Sequence, residues 1–251
     1  MGAIFEDMVE LHGDRLFADD PAMVGGPARL AGRPVMVIGH QKGRDAKENA
    51  HRRFGMPRPE GYRKALRLMK QAEKFGLPVI ALVDTPGADP TLPSEERGQA
   101  LAIATNLFEM TRLRIPTIAV IVGEGGSGGA LAIAVADRVL MMENAIYSVV
   151  SPEGCASILW NDAGLVAEAA AAMRITAEDV WRFGIADQIV PEPPGGAHED
   201  PAAAAASLGL ALRATLGELD RFYGYGEALD VDRLLRDRFA KYRRIGVFDE
   251  A

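Results

Sequence analysis

Residues 123–129 read Gly-Glu-Gly-Gly-Ser-Gly-Gly, five glycines in seven positions, between the apolar run 116–122 (PTIAVIV) and the apolar run 130–136 (ALAIAVA). A strand that enters such a turn and a helix that leaves it bring several backbone N–H groups to one helix start, where they lack intrahelical acceptors and favour negative charge. The chemistry on offer is stabilisation of an oxyanion by amides. Three motifs fit the stretch. As G-x-G-x-x-G it suggests a dinucleotide site with Glu143 as the later acid, but the loop stands mid-chain instead of opening a domain. As G-x-S-x-G it makes Ser127 a nucleophile, with Asp187 and His198 following in the order a hydrolase needs, although His198 sits in a Pro/Gly connector. As a P-loop it fails, because Gly129-Ala130 occupy the Lys-Ser/Thr positions. Tight strand–helix packing alone is the remaining reading. The converging amides are common to all of them.

Two other stretches follow apolar runs in the same way. Asp84-Thr85-Pro86-Gly87 resembles a nucleotide-hydrolase switch that has no P-loop to serve, and His40-Gln41-Lys42-Gly43-Arg44 is its counterpart after an earlier run. Both fall where open α/β sheets bind ligands, at the carboxyl ends of strands. Charge is uneven: residues 42–74 hold eleven Lys/Arg against four acids, a local +7 in a chain whose net charge is −7. A basic segment in an acidic protein argues against nucleic acid and for a local anionic ligand or partner. Lys42, Arg44, Arg63, Lys64 and Arg67 are the candidates, with a solvated helix face as the alternative. The four histidines are scattered and Cys155 is alone, which predicts no metal site and no disulfide.

The elements that must position these residues are legible. Residues 34–39, 78–84 and 116–123 read as buried strands, near-continuous in Val and Ile, and 138–142 and 145–150 as shorter ones. Residues 60–75 read as a helix whose inner face is Tyr62, Ala65, Leu66, Met69, Ala72 and Phe75, opened by Pro59 and stopped by Gly76. A second helix is expected from an N-cap at Ser94 to Arg112, and a buried third from Gly128 through 130–136. The stretch 191–206 reads as a connector to a helix over 204–222, and the charged segment 226–251 as peripheral. This alternation predicts an α/β domain with parallel strands. Residues 1–11 show no signal-peptide pattern and no long apolar run exists, so a cytoplasmic protein without membrane spans is expected.

Longer stretches carry a resemblance: HGDRLFADDPAMVGG (12–26), GRPVMVIGHQKGR (32–44), FGMPRPEGYRKALRLM (54–69), DTPGA (84–88), EERGQA (95–100), GEGGSGGALAI (123–133), YSVVSPEGCASILW (147–160) and VPEPPGGAH (190–198). In this order the chain resembles the alpha subunit of the bacterial multi-subunit acetyl-CoA carboxylase carboxyltransferase. The resemblance implies an α/β, crotonase-like (ClpP/crotonase) spiral of short ββα units with a C-terminal helical appendage: a carboxyltransferase alpha domain over 1–225 and a charged tail or helix over 226–251. It implies transfer of a carboxyl group from carboxybiotin on a biotin carboxyl carrier protein to acetyl-CoA, a coenzyme A thioester, giving malonyl-CoA for fatty acid biosynthesis. A zinc-ribbon beta subunit in an α2β2 assembly is implied, with no metal in this chain. By motif match the Gly128 and Gly129 amides form the oxyanion hole for the biotin ureido oxygen, with Gly125, Gly126, Ser127, Gly87 and Ala88 completing the biotin surface. On this reading Gly129→Val costs turnover about 100-fold, the scale of one lost donor, with the fold kept.

The chain departs from the family where Asp89-Pro90-Thr91 follow DTPGA in place of Tyr-Pro-Gly, which sets a charge beside the implied site, and the resemblance is expected not to include the family's N-terminal helical extension. The alternatives are a paralogue for another acyl-CoA, a stand-alone crotonase-superfamily hydrolase or isomerase, and a partner-binding subunit without catalysis.

Overall fold

The structure, a computed structural model, describes residues 1–162 and 164–246. In chain order the elements are β1 (Met23–Leu30), β2 (Arg33–His40), α1 (Ala46–His51), α2 (Pro59–Phe75), β3 (Val79–Thr85), α3 (Leu92–Glu96), α4 (Gln99–Arg112), β4 (Thr117–Gly126), α5 (Ser127–Leu131), β5 (Arg138–Met142), β6 (Ile146–Ser148), α6 (Pro152–Trp160), α7 (Val166–Met173), α8 (Ala177–Arg182), β7 (Gln188–Val190), α9 (Pro201–Tyr223) and α10 (Val231–Arg243). One sheet runs β1-β2-β3-β4-β5-β7, with β6 added to the far end of β4. All pairings are parallel except β1 with β2.

That antiparallel edge is absent from the sequence reading. β1 (MVGGPARL) contains two glycines and a proline, so it lacks strand propensity of its own. It pairs because Ala31 and Gly32 both take left-handed backbone, at φ 49 and 78, and so make a two-residue turn of the hairpin kind.

β2, β3 and β4 lie where the Val/Ile runs place them, and most of their side chains are buried on both faces. The short parallel strands β6 and β7 are exposed or half-buried except at Val190, and β7 is absent from the sequence reading. α2 follows its prediction closely: Pro59 opens it and Gly76 closes it in left-handed conformation. Its inner face is Tyr62, Ala65, Leu68, Met69 and Ala72, while Phe75 turns outward.

Three expectations are corrected. The helix expected from Ser94 is two: α3 ends at Glu96, Gly98 turns left-handed at φ 82, and α4 starts at Gln99. Ser94 is no cap but a buried side chain inside α3 that donates to Asp89 at 2.9 Å. The helix expected through 130–136 is only α5, five residues long. Ala132–Ala136 remain buried after it ends, because apolar character requires burial and does not dictate a helix.

The segment expected to be peripheral is anchored in the core by Leu234 and Arg238 of α10, although most of its other side chains are exposed or half-buried; residues 247–251 lie outside the described ones. Arg238 of α10 is buried. It donates to both oxygens of Asp137, at 2.7 and 2.8 Å, and to the carbonyls of Met110, Leu113 and Ile115 at 2.7–2.9 Å. Asp137 in turn accepts the Thr117 N–H at 2.7 Å, so α10, α4 and the starts of β4 and β5 share one network.

Candidate functional site

β4 runs straight into the glycine loop. Its last residue, Gly126, is the N-cap of α5, and its register with β3 shifts between Val83 and Thr85 so that Thr85 faces Gly125. This brings the loop after β3, residues 86–88, against residues 126–129. A Cβ on Gly126 would stand 2.0 Å from the Pro86 carbonyl oxygen. One on Gly129 would stand 2.4 Å from Ala88 N and 2.6 Å from the Gly87 carbonyl carbon. Glycine is therefore demanded at both positions by backbone packed on backbone. Gly128 differs: a Cβ there would meet only the Ile103 Cγ2 atom, at 3.6 Å, an ordinary contact. Packing gives no reason for glycine at 128, which is half-buried.

Gly128 and Ser127 edge a cleft of ≈ 330 Å³ whose other walls include Leu131, Tyr147, Val149 and Tyr242. The lining is apolar and carries no carboxylate or imidazole among the described residues. Burial pushes the Tyr147 phenol up to about 12, so it stays a neutral hydroxyl. Tyr242 comes from α10, in the segment expected to be peripheral. Its hydroxyl accepts the Ala136 N–H at 2.7 Å, which sets the ring as the cleft wall. The charged composition of this segment hides the residue. The apolar spacing of α10 is the only sign that it packs on something.

Ser127 holds left-handed backbone at φ 56, an uncommon conformation for a residue with a Cβ and one used in strained nucleophile turns. The partners such a nucleophile needs are engaged elsewhere. Asp187 accepts the Val139 N–H at 2.6 Å and pairs with Lys241, and His198 is an exposed side chain beside Glu199 at 3.3 Å. No hydrogen bond joins Ser127 to a histidine among the described residues. Glu143, the acid of the dinucleotide reading, accepts the Glu192 N–H at 3.0 Å and braces a turn.

The basic candidates separate. Lys42 lies at the carboxyl ends of the strands, where it donates to Asp84 at 2.9 Å and Glu124 at 2.6 Å. Burial opposes its charge, but the hydrogen bonds to Glu124 and Asp84 outweigh that and raise its pKa. Lys64 is fully buried and donates to Asp19 at 2.5 Å and the Asp20 carbonyl at 3.0 Å. Arg63 binds Asp14 at 2.8 Å, and Arg67 reaches the Gly13 carbonyl at 3.1 Å. These three tie α2 to the loop 12–20. Arg44 is exposed. Most of the local positive charge thus meets acids from other segments, which sequence counting along one window does not see.

Asp89 is corrected as well. It is buried, not a free charge beside the site. It accepts from Arg58 at 2.9 Å, from Ser94 and from Thr91, and these bonds hold its pKa low against the burial that opposes ionisation.

The sheet with its edge hairpin, the two loops crossing at their glycines and the apolar cleft make up a mixed α/β fold with a largely parallel sheet, of the crotonase-like class. The fold is shared with a subunit of the Pseudomonas malonate decarboxylase hetero-tetramer solved with coenzyme A, at TM-score 0.65 and 20% identity over 89% of each chain. It is shared also with transcarboxylase 12S, at TM-score 0.61 and 23% identity over 77% of this chain and 37% of that one. Residues 1–246 match the acetyl co-enzyme A carboxylase carboxyltransferase-like family, and the chain belongs to it. It is 59% identical to the acetyl-coenzyme A carboxylase carboxyl transferase subunit alpha of Geobacter metallireducens, over 98% of this chain and 76% of that protein. The Thermus thermophilus protein of the same name is 56% identical, over 98% of this chain and 77% of its own length.

Proposed function

We propose that this chain is the alpha component of an acetyl-CoA carboxylase carboxyltransferase that moves a carboxyl group from carboxybiotin on a carrier protein to acetyl-CoA, making malonyl-CoA in the cytoplasm. The observation that carries the reading is Gly128: its missing side chain has no packing explanation, and it stands at the mouth of an apolar cleft. That space suits a flat bicyclic group brought against the backbone. Carboxybiotin, as substrate, releases carbon dioxide and leaves an anionic ureido group, whose nitrogen takes a proton from the acetyl methyl so that this carbon adds to the carbon dioxide. The chain's task is to stabilise the ureido oxygen with the Gly128 and Gly129 N–H groups, which α5 leaves without intrahelical acceptors. Gly125, Gly126, Gly87 and Ala88 hold that backbone from behind, and Ser127 and the cleft walls exclude water. No side-chain base is required, in keeping with a lining that supplies none.

The thioester oxygen also gains charge and needs its own donors, and one glycine loop serves one anion. A beta-type subunit is therefore required for the second, of the zinc-ribbon kind, in an α2β2 assembly. The surface supports a missing neighbour: Val149, Ile158, Leu159, Trp160, Trp181 and Phe183 are all exposed. The test is malonyl-CoA formation by the pure chain, by a beta-type chain and by the two mixed. Only the mixture is expected to turn over; robust carboxyl transfer by the pure chain would refute the shared site.

A further inference from the structure

The amides of the glycine loop are only as useful as their orientation is fixed, and α5, with five residues, is too short to fix it. Two buried polar groups reach the loop from inside. Tyr62, from α2, is fully buried, and its hydroxyl has no hydrogen-bond partner. That hydroxyl lies 2.9 Å from the point a Gly129 Cβ would occupy, the same point that Ala88 N and the Gly87 carbonyl carbon crowd from the other loop. His40, at the end of β2, is 6% exposed. Its Nδ1 accepts the Asp84 N–H at 3.3 Å, which leaves the proton on Nε2, and Nε2 is buried with no well-formed hydrogen bond. The Gly129 backbone lies within hydrogen-bonding reach of this ring and favours its protonation, but burial and then the Lys42 charge outweigh that and hold the imidazole neutral, at a pKa of about 3. Buried polar groups are nearly always paired, because an unpaired one keeps its full desolvation cost. Two such groups from separate elements converge on one glycine at the back of the site.

We infer that Tyr62 and His40 are positioning residues for the glycine loop, their inward-facing O–H and Nε2–H setting the Gly129 backbone so that its neighbouring amides hold still when negative charge develops in front of them. The inference rests on the function proposed above and adds to it two residues that touch no substrate.

The test uses the chain in complex with its beta-type partner and the variants Tyr62→Phe, His40→Leu and His40→Gln. Tyr62→Phe keeps the packing and removes only an unpaired hydroxyl, so a purely structural role predicts equal or higher thermal stability and unchanged turnover. Positioning predicts the opposite split: kcat lower by about 10- to 100-fold, the scale of a small misplacement, with KM for acetyl-CoA and the melting temperature unchanged. Amide exchange in a peptide spanning 123–133 should accelerate in the same variant. His40→Leu should behave alike, and His40→Gln, which restores a donor and an acceptor, should recover part of kcat. Losses below twofold in both Tyr62→Phe and His40→Leu, with exchange unchanged, would overturn the inference. So would losses that merely follow a fall in melting temperature. If the unmodified complex transfers no carboxyl group, the functional reading fails instead, and the exchange measurement still decides whether these two side chains order the loop.

Discussion

Gly128 and Gly129 are neighbours with different obligations. At Gly129 a side chain would run into the backbone of Gly87 and Ala88, whereas at Gly128 it would enter nearly open space. The expectation that Gly129→Val leaves a folded protein with low turnover is therefore replaced. We expect Gly129→Val to be strongly destabilised, and Gly128→Val to fold, bind its partner and lose turnover at least about 100-fold. Melting temperature, partner affinity and turnover on both variants check the pair; a folded Gly128→Val with near-normal turnover would remove the oxyanion assignment. Ser127 gives a second contrast. As a nucleophile it would carry nearly the whole rate, so Ser127→Ala would lose many powers of ten. As a spacer in left-handed backbone it should be dispensable. We expect Ser127→Ala to keep most activity and Ser127→Gly to gain up to about 1 kcal/mol of stability by relieving the positive φ, read by chemical denaturation.

At the scale of elements, α10 matters more than its composition suggests. Its mean character is charged, yet it delivers Arg238 to a buried carboxylate and Tyr242 to the wall of the cleft. The Arg238–Asp137 pair is desolvated on both sides, and three carbonyls take the remaining guanidinium protons. Breaking such a pair strands a buried charge and costs about 3–5 kcal/mol, while replacing both partners with apolar groups is far milder. We expect Arg238→Met alone to lower the melting temperature sharply and the double variant with Asp137→Leu to recover part of the loss. Equal stability of Arg238→Met and the parent would show that α10 is peripheral after all.

For the whole molecule, charge is the informative property. The +7 of residues 42–74 is largely met by Asp14, Asp19, Asp20, Asp84, Asp89, Glu109 and Glu124, so the folded surface lacks the basic stripe its sequence suggests. Among the five candidates, exposed Arg44 retains the best access to an anionic ligand or partner. We expect Arg44→Glu to weaken complex assembly or acyl-CoA binding in a salt-dependent way, and Lys64→Glu to unfold the chain instead. Binding isotherms at low and high salt check this, and no change for Arg44→Glu at low salt would sink it.

The sequence by itself determined the parallel strands β2 to β5, α2 with both its stops, and the glycine loop between strand and helix, because these depend on local composition: β-branched runs, Pro and Gly at helix ends, glycines between strand and helix. The short parallel strand β7 was not among them. Its family resemblance also lay in contiguous motifs that need no folding to be read. Only the tertiary structure decided the rest. β1 forms through its turn and its neighbour, and Ala132–Ala136 are buried although α5 ends before them. Which glycine is structural and which faces the cleft depends on a loop some forty residues away, and so does the neutralisation of Lys42 by Asp84 and Glu124. Those are contacts between distant segments, and a linear reading contains the partners without the distances between them.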